Sequence, residues 1–224
     1  MKPVAIFQHS AIQQAGYLLE VLERHGVPWR VFSPIDGDSV PTTATEFSGL
    51  VFLGSPYSVN DSLPWIRSET DLIQRAMASH KPVLGHCFGG QLIAKSMGAE
   101  VRPNAVHHIG WMKAHVTGWP EARRWFSMAR ELEIFHWHHQ TFALPRDTHR
   151  MLFGSYCMNL GFTVGPHLAL QGHLEVTEEI LRSWCEQCPE DLAAGPLPYV
   201  QTREQILDGL PVKLKRLRRL ADRV

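Results

Sequence analysis

The sequence predicts a single α/β domain with a central mixed, mainly parallel sheet flanked by helices. Three observations lead there. Short β-branched or apolar runs alternate with segments of helical periodicity, as βαβ units require. A chain of 224 residues with 44% hydrophobic content can bury one large core. No repeat, low-complexity tract or linker divides it. Residues 1–224 are therefore expected to form one domain, with a basic C-terminal helix at about 204–224.

The elements follow in order. Val4-Ala5-Ile6-Phe7 reads as the first strand. Ile12 to Arg24 carries apolar residues at helical spacing until Gly26 and Pro28 stop it, and Trp29 to Phe32 returns to strand. Leu50-Val51-Phe52-Leu53 is a buried strand running into Gly54-Ser55-Pro56. Pro64 suits a first helical turn, and Trp65, Leu72, Ile73 and Met77 supply an apolar face up to His80. Pro82-Val83-Leu84 is the next strand and Gln91 to Met97 the next helix. Beyond Gly98, strand-like pieces near residues 112–117, 132–137, 151–156 and 167–172 predict partly antiparallel pairing.

Lysine plus arginine number 22, as do aspartate plus glutamate, so nothing in the charge balance asks for nucleic acid or an anionic membrane. The opening MKPVAIFQHS has one lysine and a short apolar run, and no later stretch approaches about 18 uninterrupted apolar residues. A soluble, cytoplasmic protein is expected. Cys87, Cys157, Cys185 and Cys188 are too few for a disulfide framework in a chain this size, which suits a reducing compartment.

The stretch Gly85-His86-Cys87-Phe88-Gly89 fits a nucleophile elbow with cysteine as the nucleophile: a strand ends, the nucleophile takes a strained turn, and flanking glycines relieve crowding. The helix that follows presents free N–H groups and a positive dipole end, which favour thiolate. The competing reading is a buried thiol in a glycine-rich turn; strand on one side and helix on the other favour the nucleophile. Such a cysteine needs a base. His86 adjoins it in extended chain and points the other way, so a core or electrostatic role suits it better. His173, within Gln171-Gly172-His173-Leu174-Glu175, falls at the carboxyl end of an apolar strand, the edge where open α/β sheets assemble their sites. Glu175, two residues on, can share its face and fix its orientation. Cys87, His173 and Glu175 thus make a candidate triad.

With these motifs in the same order, the sequence resembles a class I glutamine amidotransferase, especially the stand-alone group similar to the amidotransferase domain of GMP synthase. Leu53-Gly54-Ser55-Pro56, His108-Ile109-Gly110-Trp111, Phe135-His136-Trp137-His138 and Asn159-Leu160-Gly161-Phe162 extend the likeness over roughly residues 3 to 185. The resemblance implies a flavodoxin-like fold and a glutaminase that needs no cofactor or metal. It implies that Cys87 attacks the glutamine carboxamide, that backbone N–H groups of Ser55 and Phe88 form the oxyanion hole, and that His173 protonates the departing ammonia. It further implies that Gln91 and the backbone around Asn159, Gly161 and Phe162 grip the substrate. The ammonia would then serve a synthase partner protein, since 224 residues leave no room for a synthase domain and no P-loop is present. A stand-alone γ-glutamyl hydrolase or peptidase, and a catalytically idle partner-binding module, are the alternatives.

Three departures from the family pattern stand out. Ser55 occupies a position where relatives often have a second glycine, His86 one that is usually apolar, and His139-Gln140 one that is commonly glycine and aspartate. Three further features are read as decoys. Cys185 and Cys188 are expected to be a surface thiol pair rather than a redox motif. His107-His108 and His136 to His139 lack the spacing of a zinc set, because adjacent histidines point apart on a strand. The tail from Lys213 to Arg223 is an amphipathic basic helix that docks on its own domain or on an acidic partner.

Overall fold

The computed structural model describes residues 1–224. Its strands are β1 (Val4–Phe7), β2 (Trp29–Phe32), β3 (Gly49–Phe52), β4 (Val83–His86), β5 (Val101–Val116), β6 (Glu131–Phe142), β7 (His149–Phe153), β8 (Gly161–Val164) and β9 (His167–Leu170). The helices are α1 (Tyr17–Arg24), α2 (Pro64–Ala78), α3 (Phe88–Ser96), α4 (Pro120–Phe126), α5 (Glu178–Gln187), α6 (Pro189–Leu192), α7 (Arg203–Leu207) and α8 (Leu210–Ala221). All nine strands form one sheet in the order β2-β1-β3-β4-β9-β8-β7-β5-β6. The first five of that order pair in parallel, and β8, β7, β5 and β6 continue the sheet antiparallel. This is the α/β architecture with a mixed sheet that the sequence predicts.

Strand alternation sends side chains to two faces. Ala5 and Phe7 pack with Leu72 and Ile73 of α2 and Leu92 and Ile93 of α3. Ile6 points the other way, joining Val51, Leu53 and the α1 leucines. A further core gathers Ile109, Trp111 and Phe135 of the antiparallel strands against Trp184 of α5 and Leu214 and Leu217 of α8.

Several boundaries differ from the sequence reading. α1 begins at Tyr17, not Ile12, because Gly16 turns the chain at φ 47° and a Cβ there would lie 2.2 Å from the Glu175 carbonyl oxygen. β5 begins at Val101 and is 16 residues long, its early part hidden in sequence by Pro103 and a register shift between Pro103 and His108. α4 and β8, of seven and four residues, are too short to show a period. The expected C-terminal helix is two helices, α7 and α8, broken where Gly209 takes φ 60°.

The apolar face of α8 lies against its own chain: Leu210, Leu214, Leu217 and Leu220 are buried. Arg218 sits over the Tyr17 ring, and Arg216 lies 3.9 Å from Glu133. No helix is long and apolar enough to cross a membrane. Leu217→Ala should therefore cost about 2–5 kcal/mol of stability, measured by urea unfolding, through lost burial and the cavity left behind. Lys215→Ala on the exposed face of α8 should stay within about 0.5 kcal/mol of the parent.

Candidate active site

Cys87 occupies the turn between β4 and α3 with φ 51° and ψ −110°, a conformation that costs a non-glycine residue about 1–3 kcal/mol. The surroundings impose it. Its N–H donates to the Leu170 carbonyl at 2.9 Å, its own carbonyl accepts from Gln91 N–H at 2.9 Å, and Gly89 N–H donates to the Leu53 carbonyl at 3.1 Å. The flanking glycines are needed for close approach: a Cβ on Gly85 would lie 2.4 Å from the Gly89 carbonyl, and one on Gly89 would lie 2.0 Å from the Phe52 oxygen.

His173 follows β9, its N–H donating to the Phe135 carbonyl at 2.9 Å. Its Nδ1 donates to Glu175 Oε1 at 2.6 Å, and both side chains are buried. Nε2 has no protein partner, and Cys87 is close enough to affect its protonation. Burial alone would make His173 neutral, but the Glu175 charge, the nearby Cys87 sulfur and the hydrogen bond that Nδ1 donates to Glu175 override it and raise the imidazole to about 10. Burial likewise opposes ionisation of Glu175, yet His86 and His173 hold its carboxyl well below the usual range. Both shifts favour a protonated imidazole beside an ionised carboxylate.

His86 is a buried core residue, and it also reaches the triad. Its Nδ1 lies 2.9 Å from Glu175 Oε2. It lines an apolar cavity of about 240 Å³ on the far face of the sheet, walled by residues such as Leu18, Trp125 and Leu168.

A cleft of about 450 Å³ opens over Cys87 and is lined by Ser55, Phe88, Gln91, Trp137, His139 and Gln140 among others. Neither the Ser55 nor the Phe88 N–H donates to another protein group. Gln91 donates through Nε2 to the Gln140 carbonyl at 3.2 Å. The structure does not bring Asn159, Gly161 and Phe162 to this cleft. Asn159 donates to the Phe142 carbonyl at 2.9 Å and accepts from Arg150 at 3.0 Å, Gly161 packs against Leu170, and the Phe162 ring stands edge-on to Phe142. Gly161 and Phe162 lie on β8 and Asn159 in the loop before it, and none of the three lines the cleft.

The rim is built from the family-divergent residues. His139 stacks on His107 with centroids 3.9 Å apart and lies 3.3 Å from Asp191, while Ser58 Oγ donates to Gln140 Oε1 at 3.0 Å. Trp137 Nε1 donates to the same Asp191 at 2.6 Å. Cys188 also lines the cleft, and Cys185 is buried, so the two are not a surface pair. Burial pushes the Cys185 thiol up to about 11.

Cross-strand pairing of β5 with β6 brings His108, His136 and His138 together, with ring nitrogens within 4.8 Å of one another, a grouping that alternation along one strand did not foresee. His108 Nδ1 meets His138 Nε2 at 3.1 Å, and His138 Nδ1 donates to the Gln140 carbonyl at 2.9 Å. The His108 and His136 rings stack at 4.4 Å and 16°, so their in-plane lone pairs run side by side rather than converging on one point as ligands must. Burial holds all three neutral, His108 at about 4.

Sequence reasoning missed His9 and Glu69, a fully buried pair whose histidine reaches the Gly54 carbonyl. The available sign was a histidine just beyond the carboxyl end of β1, the site-bearing edge of the sheet.

Residues 15–182 match the family model for class-I glutamine amidotransferases, and the chain belongs to that family. Among curated proteins it is 27% identical over 198 residues to the glutamine amidotransferase-like protein YfeJ of Salmonella typhimurium, covering 83% of this chain and 80% of that one. It is also 27% identical over 164 residues to gamma-glutamyl peptidase 3 of Arabidopsis thaliana, covering 70% and 66%. The crystal structure of a glutamine amidotransferase from Methylobacillus flagellatus is 37% identical and superposes with a TM-score of 0.97 over 100% of this chain and 92% of its own.

The folded value of His173 lies above its unfolded value near 6.5. Its contribution to stability is therefore complete below that pH and lost as pH rises through about 10. Urea unfolding at neutral pH and at about pH 10 should show a steeper loss for the parent than for His173→Asn. Equal slopes would place the imidazole's protonation elsewhere.

Proposed function

We propose that the protein is a cysteine-dependent amidohydrolase that cleaves the side-chain amide of glutamine, or of a related γ-glutamyl compound, through a thioester on Cys87. The observation that carries this reading is the strained elbow at Cys87 together with a buried His173 whose Nδ1 is anchored on Glu175 at 2.6 Å. Cys87 gives its thiol proton to His173, and the sulfur attacks the amide carbon. The resulting oxyanion accepts from the Ser55 and Phe88 N–H groups, each donor being worth about 10²–10³-fold in rate. His173 already holds the proton that the leaving nitrogen needs, so the C–N bond breaks with release of ammonia or an amine. Water then adds to the thioester, giving its proton back to His173, and the C–S bond breaks to free the γ-carboxylate. The steps use no cofactor or metal. Gln91, on the cleft wall, is the residue best placed to hold the substrate's polar end.

When glutamine is the substrate, the ammonia is passed to a synthase activity on a partner protein. The second reading, a γ-glutamyl hydrolase or peptidase that works alone, is favoured by the open cleft and by the divergent rim of His139 and Gln140, which presents different polar groups to the leaving group. An idle binding module is disfavoured by the assembled triad. Four free thiols are in keeping with a reducing cytoplasm.

A glutamine-like diazo-ketone should label Cys87 in preference to Cys157, Cys185 and Cys188, and Cys87→Ala should abolish turnover with the fold intact. Labelling spread evenly over the four thiols would sink the assignment. His173→Asn should lower kcat/KM by about 10²–10⁴-fold or more, and Glu175→Gln by less. Measuring kcat/KM for glutamine and for γ-glutamyl dipeptides without any partner separates the two readings: dipeptide cleavage far above glutaminase activity identifies the hydrolase, and weak glutaminase activity that a partner stimulates identifies the amidotransferase.

A further inference from the structure

His9 lies two residues beyond β1, at the same sheet edge as Cys87 and His173, and both its ring nitrogens are engaged. Nε2 meets both carboxylate oxygens of Glu69, on α2, at 3.0 Å each, and Nδ1 meets the Gly54 carbonyl at 3.2 Å. Both side chains have zero exposure. The ring is fixed on its flat faces as well, stacked on Trp65 at 5.1 Å and tilted against Phe88 at 4.9 Å. A carbonyl can only accept, so Nδ1 must carry a hydrogen, and the remaining nitrogen shares a proton with Glu69.

The Gly54 carbonyl belongs to the same peptide as the Ser55 N–H. In a trans peptide these two groups point to opposite sides. Holding the carbonyl toward His9 therefore turns the N–H away from it, and Ser55 lines the cleft with Cys87. The loop is close to the triad: a Cβ on Gly54 would lie 3.2 Å from His173 Cε1.

We propose that His9 and Glu69 are positioning residues, a buried strut that clamps the Gly54–Ser55 peptide so that its N–H is set as oxyanion donor without help from a partner protein. This rests on the reading of the cleft as an amidohydrolase site with Ser55 N–H in the oxyanion hole. A peptide free to rotate would point its carbonyl, an acceptor, at the developing oxyanion and oppose the reaction. The strut removes that alternative. It also touches Phe88, the residue of the second donor, so one imidazole steadies both sides of the hole.

Removing one partner alone leaves a buried polar group unpaired and can unfold the protein, so the decisive variant is the double replacement His9→Leu with Glu69→Leu, accompanied by Glu69→Gln. Two readouts are taken on the intact chain. The first is hydrogen–deuterium exchange over residues 53–57, which needs no substrate; the double variant should exchange faster there, with the rest of the sheet unchanged. The second is kinetics with the better of glutamine or a γ-glutamyl dipeptide. The double variant should lose about 10²–10³-fold in kcat with KM nearly unchanged, as for a missing oxyanion donor. Alkylation of Cys87 by iodoacetamide, which forms no oxyanion, should keep its rate. Glu69→Gln, which keeps a polar partner for Nε2, should fall between parent and double variant. Unchanged exchange over residues 53–57 overturns the strut whatever the activity. Parent-like kcat overturns it too, and so does a loss of alkylation equal to the loss of turnover. If the parent cleaves no γ-glutamyl compound, the proposed function fails, and the exchange measurement alone decides the clamp.

Discussion

The backbone at Cys87 is the junction on which the site depends. Holding a side chain at φ 51° costs about 1–3 kcal/mol, and it persists because three strands over-determine it. β9 accepts from the Cys87 N–H through Leu170, and Leu53 at the end of β3 accepts from Gly89. β4 delivers the cysteine, while Phe52 of β3 presses on Gly89. The same contacts that force the turn thus dock α3 on the sheet and set β9 beside β4. That places His173, three residues past the end of β9, next to the thiol. The Gly54–Ser55 loop follows β3 directly, so Ser55, Cys87 and His173 are fixed relative to one another through short stretches of backbone.

Electrostatics then divides the many buried histidines into two kinds. His173, His86 and His9 each face a carboxylate; His108, His136 and His138 face none. For the second group burial decides, and the rings stay neutral. The charge on His173 itself helps keep His136 and His138 deprotonated. Glu175 is thereby shared by His173 and His86, one on each carboxylate oxygen, while His108, His136 and His138 act as polar packing.

Legibility from sequence followed the range of each interaction. Cys87, His173 and Glu175 were readable because each motif is local: glycines around a strand-to-helix turn, and two residues sharing a face two positions apart. The parallel half of the sheet was readable because its strands are short, apolar and separated by helices. His9 with Glu69 is 60 residues apart in sequence, and His86 with Glu175 is 89 apart, so neither pair leaves a pattern until the sheet order is known. The His108, His136 and His138 cluster needs the register of β5 on β6. Gly161 and Phe162 fall on β8, whose four residues carry too little period to show a strand in the sequence.

The departure at Ser55 acquires a physical sense beside the buried pair. A glycine in the oxyanion loop lets the peptide turn either way, and a partner can then decide which orientation it takes. Serine narrows that freedom, and a histidine held by a carboxylate fixes the preceding carbonyl. Such a pair is a poor investment for stability alone, since well-packed apolar residues of similar volume are often as good or better. Its location explains its presence more simply. It sits behind the Gly54–Ser55 peptide and against the Phe88 ring, so it orders the loop that faces Cys87.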